Sequence, residues 1–256
     1  MKSFIAFFKK EILDGIRSSK FMILGILFCA FGIMNPAIAK LTPWLLEIMS
    51  NELAESGMTV TAVTVDAITS WTQFFKNIPM ALIVFVFMYG SIFTKEYESG
   101  ALVLILTKGL ARFKIVLAKT FVMLATWTIG YFITFAITYA YNAYFWDNSI
   151  AKHLTSAVIN WWLFGVFVIS LIVLFSAISQ NFSGVLVGTG AFVAIPYFLG
   201  IFPKIAKFMP TSLMSSASLL SGAEKPQEYL WAVCITCAAS VTCVIVGILI
   251  FNKKQI

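Results

Sequence analysis

The chain has 256 residues, of which 60% are hydrophobic and only 11% charged, and its mean hydropathy is +0.93. Soluble domains carry about 25% charged residues, so this composition excludes an ordinary soluble enzyme or binding module and describes a polytopic membrane protein. The net charge of +7 reads as membrane-surface chemistry and not as nucleic-acid binding, because the bases are spread along one side of the expected membrane.

Met1 to Lys20 projects as an amphipathic helix. Ile5, Phe8, Ile12 and Ile16 share one face, Lys10, Asp14 and Arg17 lie opposite, and Phe7 falls off the apolar side. Such a helix suits the headgroup region, turning at Arg17-Ser18-Ser19-Lys20 to enter the bilayer. Six apolar stretches follow, each close to the roughly 20 residues that a helix needs to cross the hydrocarbon core. They are Phe21–Ala39, Ile78–Phe93, Ile115–Tyr139, Ala157–Ile178, Gly184–Phe202 and Leu230–Phe251. The runs are continuous and not alternating, which selects helices over a barrel. The second is short and is expected to continue as helix into the polar segment after it; the third is long enough to emerge from the bilayer. No small-residue cleavage site follows the first, so it is expected to serve as its own insertion signal.

The bases set the expected orientation. With the N-terminus inside, the inner segments hold Lys2, Lys9, Lys10, Arg17, Lys20, Lys95, Lys108, Arg112, Lys114, Lys119, Lys253 and Lys254, and the outer ones Lys40, Lys76, Lys152, Lys204, Lys207 and Lys225. Twelve against six is the direction of the positive-inside rule, and both termini are expected in the cytoplasm.

Little in the chain points to chemistry. Cys234 and Cys237 form a C-x-x-C at lipid depth with no His or acid beside it, and read as small apolar packing residues. His153 is the single histidine. There is no H-E-x-x-H, G-x-S-x-G or G-x-x-x-x-G-K-[ST], so no catalytic or metal site is expected, and any uphill movement must draw energy from another polypeptide. No acid or base sits well inside an expected span, which argues against a proton- or sodium-coupled carrier.

The segment joining the second and third spans carries the positive evidence. Lys95-Glu96-Tyr97-Glu98-Ser99-Gly100 precedes the apolar run Ala101–Leu106, and Thr107-Lys108-Gly109-Leu110-Ala111-Arg112 follows it. Six residues are far too few to cross a bilayer. An apolar run bracketed by charge needs cover, from its own helices or from a docked partner; a plain connecting loop is the alternative. Gly109 is a candidate helix stop before the third span.

The pattern Glu-x-x-x-Gly-x-Leu, a short apolar run, Thr-Lys, then a basic residue and a lysine opening the next span resembles type-2 ATP-binding-cassette (ABC) exporter permeases, in the residues Glu96, Gly100, Leu102, Leu106, Arg112 and Lys119. The amphipathic start with Lys10-Glu11 and Arg17-x-x-Lys20 is similar too, as is Pro210-Thr211-Ser212-Leu213 through Gly222, which looks like that family's external helix. Gly109 stands where many members have proline and Ala111 where Ser or Thr is usual. The resemblance implies an all-α integral membrane protein, a single permease domain over residues 1–256 with an elbow helix at 1–20, a coupling segment at 95–114 and an external segment at 203–229. It implies a non-catalytic subunit in the cell membrane that exports a hydrophobic or amphipathic cargo, such as a cytolytic peptide, a drug or a lipid-like molecule. Its partners would be two copies of an ABC ATPase carrying ATP and Mg, a second permease copy or a paralogue, and membrane lipids. Contact with the ATPase would fall on Glu96, Glu98, Gly100, Leu104 and Arg112, and the substrate path on spans two and five, with Phe85, Tyr89, Phe192 and Tyr197. An ion-coupled carrier, a membrane enzyme and a non-transporting scaffold are the competing classes.

Overall fold

In hydrocarbon every backbone N–H and C=O must find its partner within the protein, and this chain meets the demand with helices alone. The computed structural model describes residues 2–54, 65–107 and 109–254, and among them the regular structure is entirely helical. Helix α1 (Lys2–Arg17) ends where Ser19, at φ 57°, turns the chain into α2 (Lys20–Ala54). Next come α3 (Ala67–Tyr89), the short α4 (Thr94–Glu98) and α5 (Ala101–Thr107), then α6 (Arg112–Phe145), α7 (Leu154–Ile178) and α8 (Phe182–Leu199). Two further short helices, α9 (Pro203–Ala206) and α10 (Ser216–Ser221), lead to α11 (Leu230–Lys253). Six helices, α2, α3, α6, α7, α8 and α11, are long and apolar enough to cross a membrane. The chain is therefore a multi-pass membrane protein.

Two boundaries differ from expectation. Helix α2 runs 35 residues, about 52 Å at 1.5 Å per residue, well past Ala39. Helix α3 lengthens towards its N-terminus; beyond it, after a turn at residues 90–93, the chain resumes as helix in α4, so this candidate span runs Ala67–Glu98 and enters the polar segment as expected. It starts at Ala67, where the Asp66 carboxylate accepts a hydrogen bond from the Thr69 amide at 3.0 Å, a cap that satisfies a free donor of the first turn. The stretch Lys40–Lys76 between the first two expected spans is thus helical at both ends, residues 55–64 of it lying outside the described residues. The external segment is not one helix either. Between α8 and α11 it is split into α9, α10 and 3-10 turns at Pro210–Met214 and Pro226–Tyr229, three of these four opened by prolines with no N–H to donate. Leu213, Leu219 and Leu220 plug it into the bundle.

The interior is aromatic. Trp71, Phe74, Phe85, Trp127 and Tyr131 are wholly buried, with Phe85 and Phe28 edge-on to Trp127 at 5.7 and 5.9 Å. Each polar tip is spoken for: Trp127 Nε1 donates to the Trp162 carbonyl at 3.2 Å, Tyr131 Oη to Val158 at 2.8 Å, and Trp71 Nε1 to Asn148 Oδ1 at 3.1 Å. Polar side chains also fasten α2 to its neighbours, as expected where lipid removes the hydrophobic drive between helices. Asn77 donates to Asn35 at 2.7 Å and Asn35 to Thr138 at 3.2 Å. Pro36 cannot donate to the carbonyl of Gly32 four residues back, and the Thr138 hydroxyl takes that place at 3.1 Å.

Gly165 on α7 admits the Trp127 ring so closely that a Cβ there would lie 2.2 Å from it. Gly165→Val should therefore displace the indole from its acceptor and cost about 1–3 kcal/mol or more of overpacking. A thermal melt of the detergent-solubilised chain, read by tryptophan fluorescence, should show a clearly lowered midpoint. An unchanged midpoint would mean that the α6–α7 contact is looser than the structure has it.

Candidate functional site

The end of the bundle where α1 lies holds a partly buried charge cluster assembled from three parts of the chain. α1 brings Lys10, Glu11 and Asp14, α4 brings Glu96, and α6 brings Lys119. Lys119 is 2% exposed and sits at the centre, with its ammonium 3.0 Å from Glu11 Oε2, 3.2 Å from Glu96 Oε2 and 3.0 Å from the Ile92 carbonyl. Its contact with Glu96 Oε2 is an ion pair without hydrogen-bond alignment. Lys10 bridges the same two glutamates from the other side, through Glu11 Oε1 at 3.0 Å and Glu96 Oε1, and reaches Asp14 at 2.9 Å. The rings of Phe7 and Phe93 flank the Lys119 ammonium at 5.8 and 5.5 Å, within cation–π range.

Burial works against the Lys10 charge, but hydrogen bonds to Glu96 and Asp14 and the field of Glu11 override it and hold its pKa well above the ordinary lysine value. A raised folded-state value contributes stability that is complete at neutral pH. It is lost only as pH climbs past the ordinary lysine range and through the raised value.

This cluster explains which face of α1 meets the protein. Phe7, Glu11 and Gly15, one helical turn apart, are buried against the bundle, whereas Ile5 and Ile16 stay exposed for the lipid. Of the apolar stripe of the sequence, Ile5 and Ile16 thus face outward, Phe8 and Ile12 are half-buried, and the fully packed side is the one holding Phe7 and an acid. Lys119 was legible as an inner base; its burial was not, since one charged residue at the mouth of an apolar run says nothing of what faces it.

The α4–α5 segment hangs from this frame. Glu96, for which the resemblance implied a contact with the ATPase, is 8% exposed and its carboxylate turns inward to pairs within the chain. Arg112 is likewise engaged: its guanidinium caps the last carbonyls of α11 at Phe251, Asn252 and Lys254. Lys254 returns the favour at the end of α7, donating to Ala177, Ile178 and Ser179 at 2.9–3.3 Å. Cations at helix C-termini meet the negative end of the dipole. Burial lowers the Lys254 pKa.

What remains free is α5. Its Leu102 is buried, while Val103 and Leu104 project outward, Leu104 at 66% exposure, with Glu98 and Ser99 exposed beside them. Gly100 at φ +65° and Gly109 at φ +81° make the turns on either side, a backbone conformation that a β-carbon disfavours. Gly109 is the helix stop that the sequence suggested.

The four expected path residues separate into two pairs. Phe85 and Tyr89 close into the core of the chain, Tyr89 donating to or accepting from Thr126 at 2.9 Å. Phe192 and Tyr197 lie exposed on α8, beside exposed Phe198. The outward face of α3 is instead Met80, Ile83 and Phe87. Cys234 and Cys237 also face outward and do not pack inside.

A family model described as ABC-2 family transporter protein matches residues 5–230, from α1 to the first residue of α11. No curated protein matches the chain.

Proposed function

This chain belongs to the ABC-2 family of transporter proteins, and from that premise we propose that it is the permease of an exporter in which α5 receives the stroke of a separate ATPase. Membership makes it a membrane permease subunit of an ABC transporter, a class that works with an ABC ATPase subunit. The observation that carries the finer reading is an apolar knob, Val103 and Leu104, exposed on a seven-residue helix. The ion cluster ties the preceding helix α4 to α1 and α6, and the Arg112 cap ties the start of α6 to α11, so α5 is held between two anchored ends. A knob on a rigid mount can transmit a displacement; a knob on a loose loop cannot. In this reading Leu104, Glu98 and Gly100 touch the ATPase, whereas Glu96 and Arg112 hold the mount.

Two copies of the chain would pair and leave the cargo path between them. α8 supports this, because it is almost wholly uncovered in one chain and shows Phe192, Tyr197 and Phe198 outward. With Phe87 on α3, these aromatics suit a hydrophobic or amphipathic cargo. Both termini and α5 lie in the cytoplasm in this scheme, following the twelve-to-six distribution of bases. ATP and Mg would bind the partner, since the chain has no P-loop.

The test is reconstitution of the chain with its ATPase in liposomes, challenged with peptides, drugs and lipids. ATP-dependent transport that needs both subunits is the expected result. Transport by the permease alone under a proton or sodium gradient would establish a secondary carrier in its place. Thiol labelling from outside intact cells should reach Ser221→Cys and spare Ser99→Cys; the reverse pattern would invert the orientation.

A further inference from the structure

We propose that the groove between α1, α2 and α6 is a docking site for one anionic diacyl phospholipid of the leaflet beside α1, with the headgroup on the cluster's spare cations. The observation is the adjacency of two cavities. One is a charged cleft of about 630 Å³ lined by five bases, Lys10, Arg17, Lys20, Lys95 and Lys119, against three carboxylates, Glu11, Asp14 and Glu96. The other is an apolar groove of about 310 Å³ whose walls include Ile12, Phe21, Leu24, Phe28, Ile129 and Ile133. Val122 lines both, so the charged cleft and the apolar groove adjoin at that residue on α6.

The charges are complementary to an anion. Lys10 and Lys119 are consumed by the three carboxylates. Among the described residues no carboxylate pairs with Arg17, Lys20 or Lys95; Lys20 rests over the Tyr89 ring at 5.5 Å. These three cations stand at the polar rim of a bilayer segment, where a phosphodiester would neutralise them. A soluble anion would use the rim and leave the groove unexplained.

Length supports the lipid. Along α6 the groove runs from Val122 to Ile133, about 16 Å at 1.5 Å per residue. One leaflet of a hydrocarbon core is roughly 15 Å deep, so an acyl chain fills the groove from the headgroup shoulder to the midplane. Gly25 leaves its floor open, with no atom within 4 Å of where a Cβ would sit. A lipid seated there would press α1 onto α2 and α6, between the ion cluster and the surrounding membrane. The inference borrows from the functional reading only the identity of the leaflet as cytoplasmic.

The experiment is native mass spectrometry of the full chain in detergent with added phosphatidylglycerol or phosphatidylcholine, on wild type, on Arg17→Gln/Lys95→Gln and on Gly25→Leu. Both substitutions at the rim are of exposed residues and Gly25→Leu enters open space, so all three proteins should be monodisperse. Wild type should retain a single phosphatidylglycerol in preference to phosphatidylcholine. Retention should fall by about tenfold or more on loss of two charges, and should also fall in Gly25→Leu, where the acyl seat is filled. Equal retention of the two lipids overturns the proposal, as does wild-type phosphatidylglycerol binding in either variant. Full displacement by inorganic phosphate would equally defeat it, because the groove would then contribute nothing. The readout needs no ATPase and no cargo, so its failure leaves the transporter reading untouched.

Discussion

Lys119→Met is expected to destabilise the folded permease by about 3 kcal/mol, the lower end of the cost of breaking a buried ion pair by removing one partner. The penalty does not come from the lost attraction alone. Glu11 and Glu96 are buried, and without the Lys119 ammonium they face each other with only the half-exposed Lys10 between them. α1 and α4 should both loosen, since each is anchored there by its acid. Guanidinium or SDS titration of the purified chain measures the loss, and proteolysis near Arg17 reports release of α1. The triple variant Lys119→Met/Glu11→Gln/Glu96→Gln should recover much of it, because a neutral, well-packed site does not carry the desolvation cost of stranded charge. A Lys119→Met protein as stable as wild type would show that water already screens the cluster. Glu96→Ala acts on the same frame, so its first effect should appear in the permease alone and not in its affinity for an ATPase.

Leu104→Asp should leave the permease folded and weaken its complex with the ATPase by about 30- to 1,000-fold, the range of an interfacial anchor worth 2–4 kcal/mol. The side chain is two-thirds exposed, so the substitution costs the lone chain little, whereas docking would bury an unpaired carboxylate. Leu102→Asp is the contrasting control: that leucine is 2% exposed, and its replacement should disturb the permease itself. Co-purification with the ATPase and ATP-driven transport in vesicles are the readouts. If Leu104→Asp assembles and transports as wild type does, α5 is a connector and the stroke enters elsewhere.

The two variants also separate what could be read from residues in order and what could not. Six spans, an all-helical class, an amphipathic start and a charged, apolar, charged segment follow from the sequence, because each is a property of a local window: transfer free energy, period and length. The absence of a nucleotide-binding loop is local in the same sense. Pairing is not. Glu96 and Glu98 are two residues apart on one five-residue helix, yet one is buried between two lysines and the other is exposed. Nothing within that helix distinguishes them; Lys10 and Lys119, 86 and 23 positions away, do. Facing within the spans is hidden for a further reason. A membrane helix is apolar towards lipid and towards its neighbours alike, so hydropathy marks that Phe85, Phe87 and Tyr89 lie in a span but gives no direction around it. Only the packing of α3 against Trp127 and Thr126 on α6 turned Phe85 and Tyr89 inward and left Phe87 to the outside.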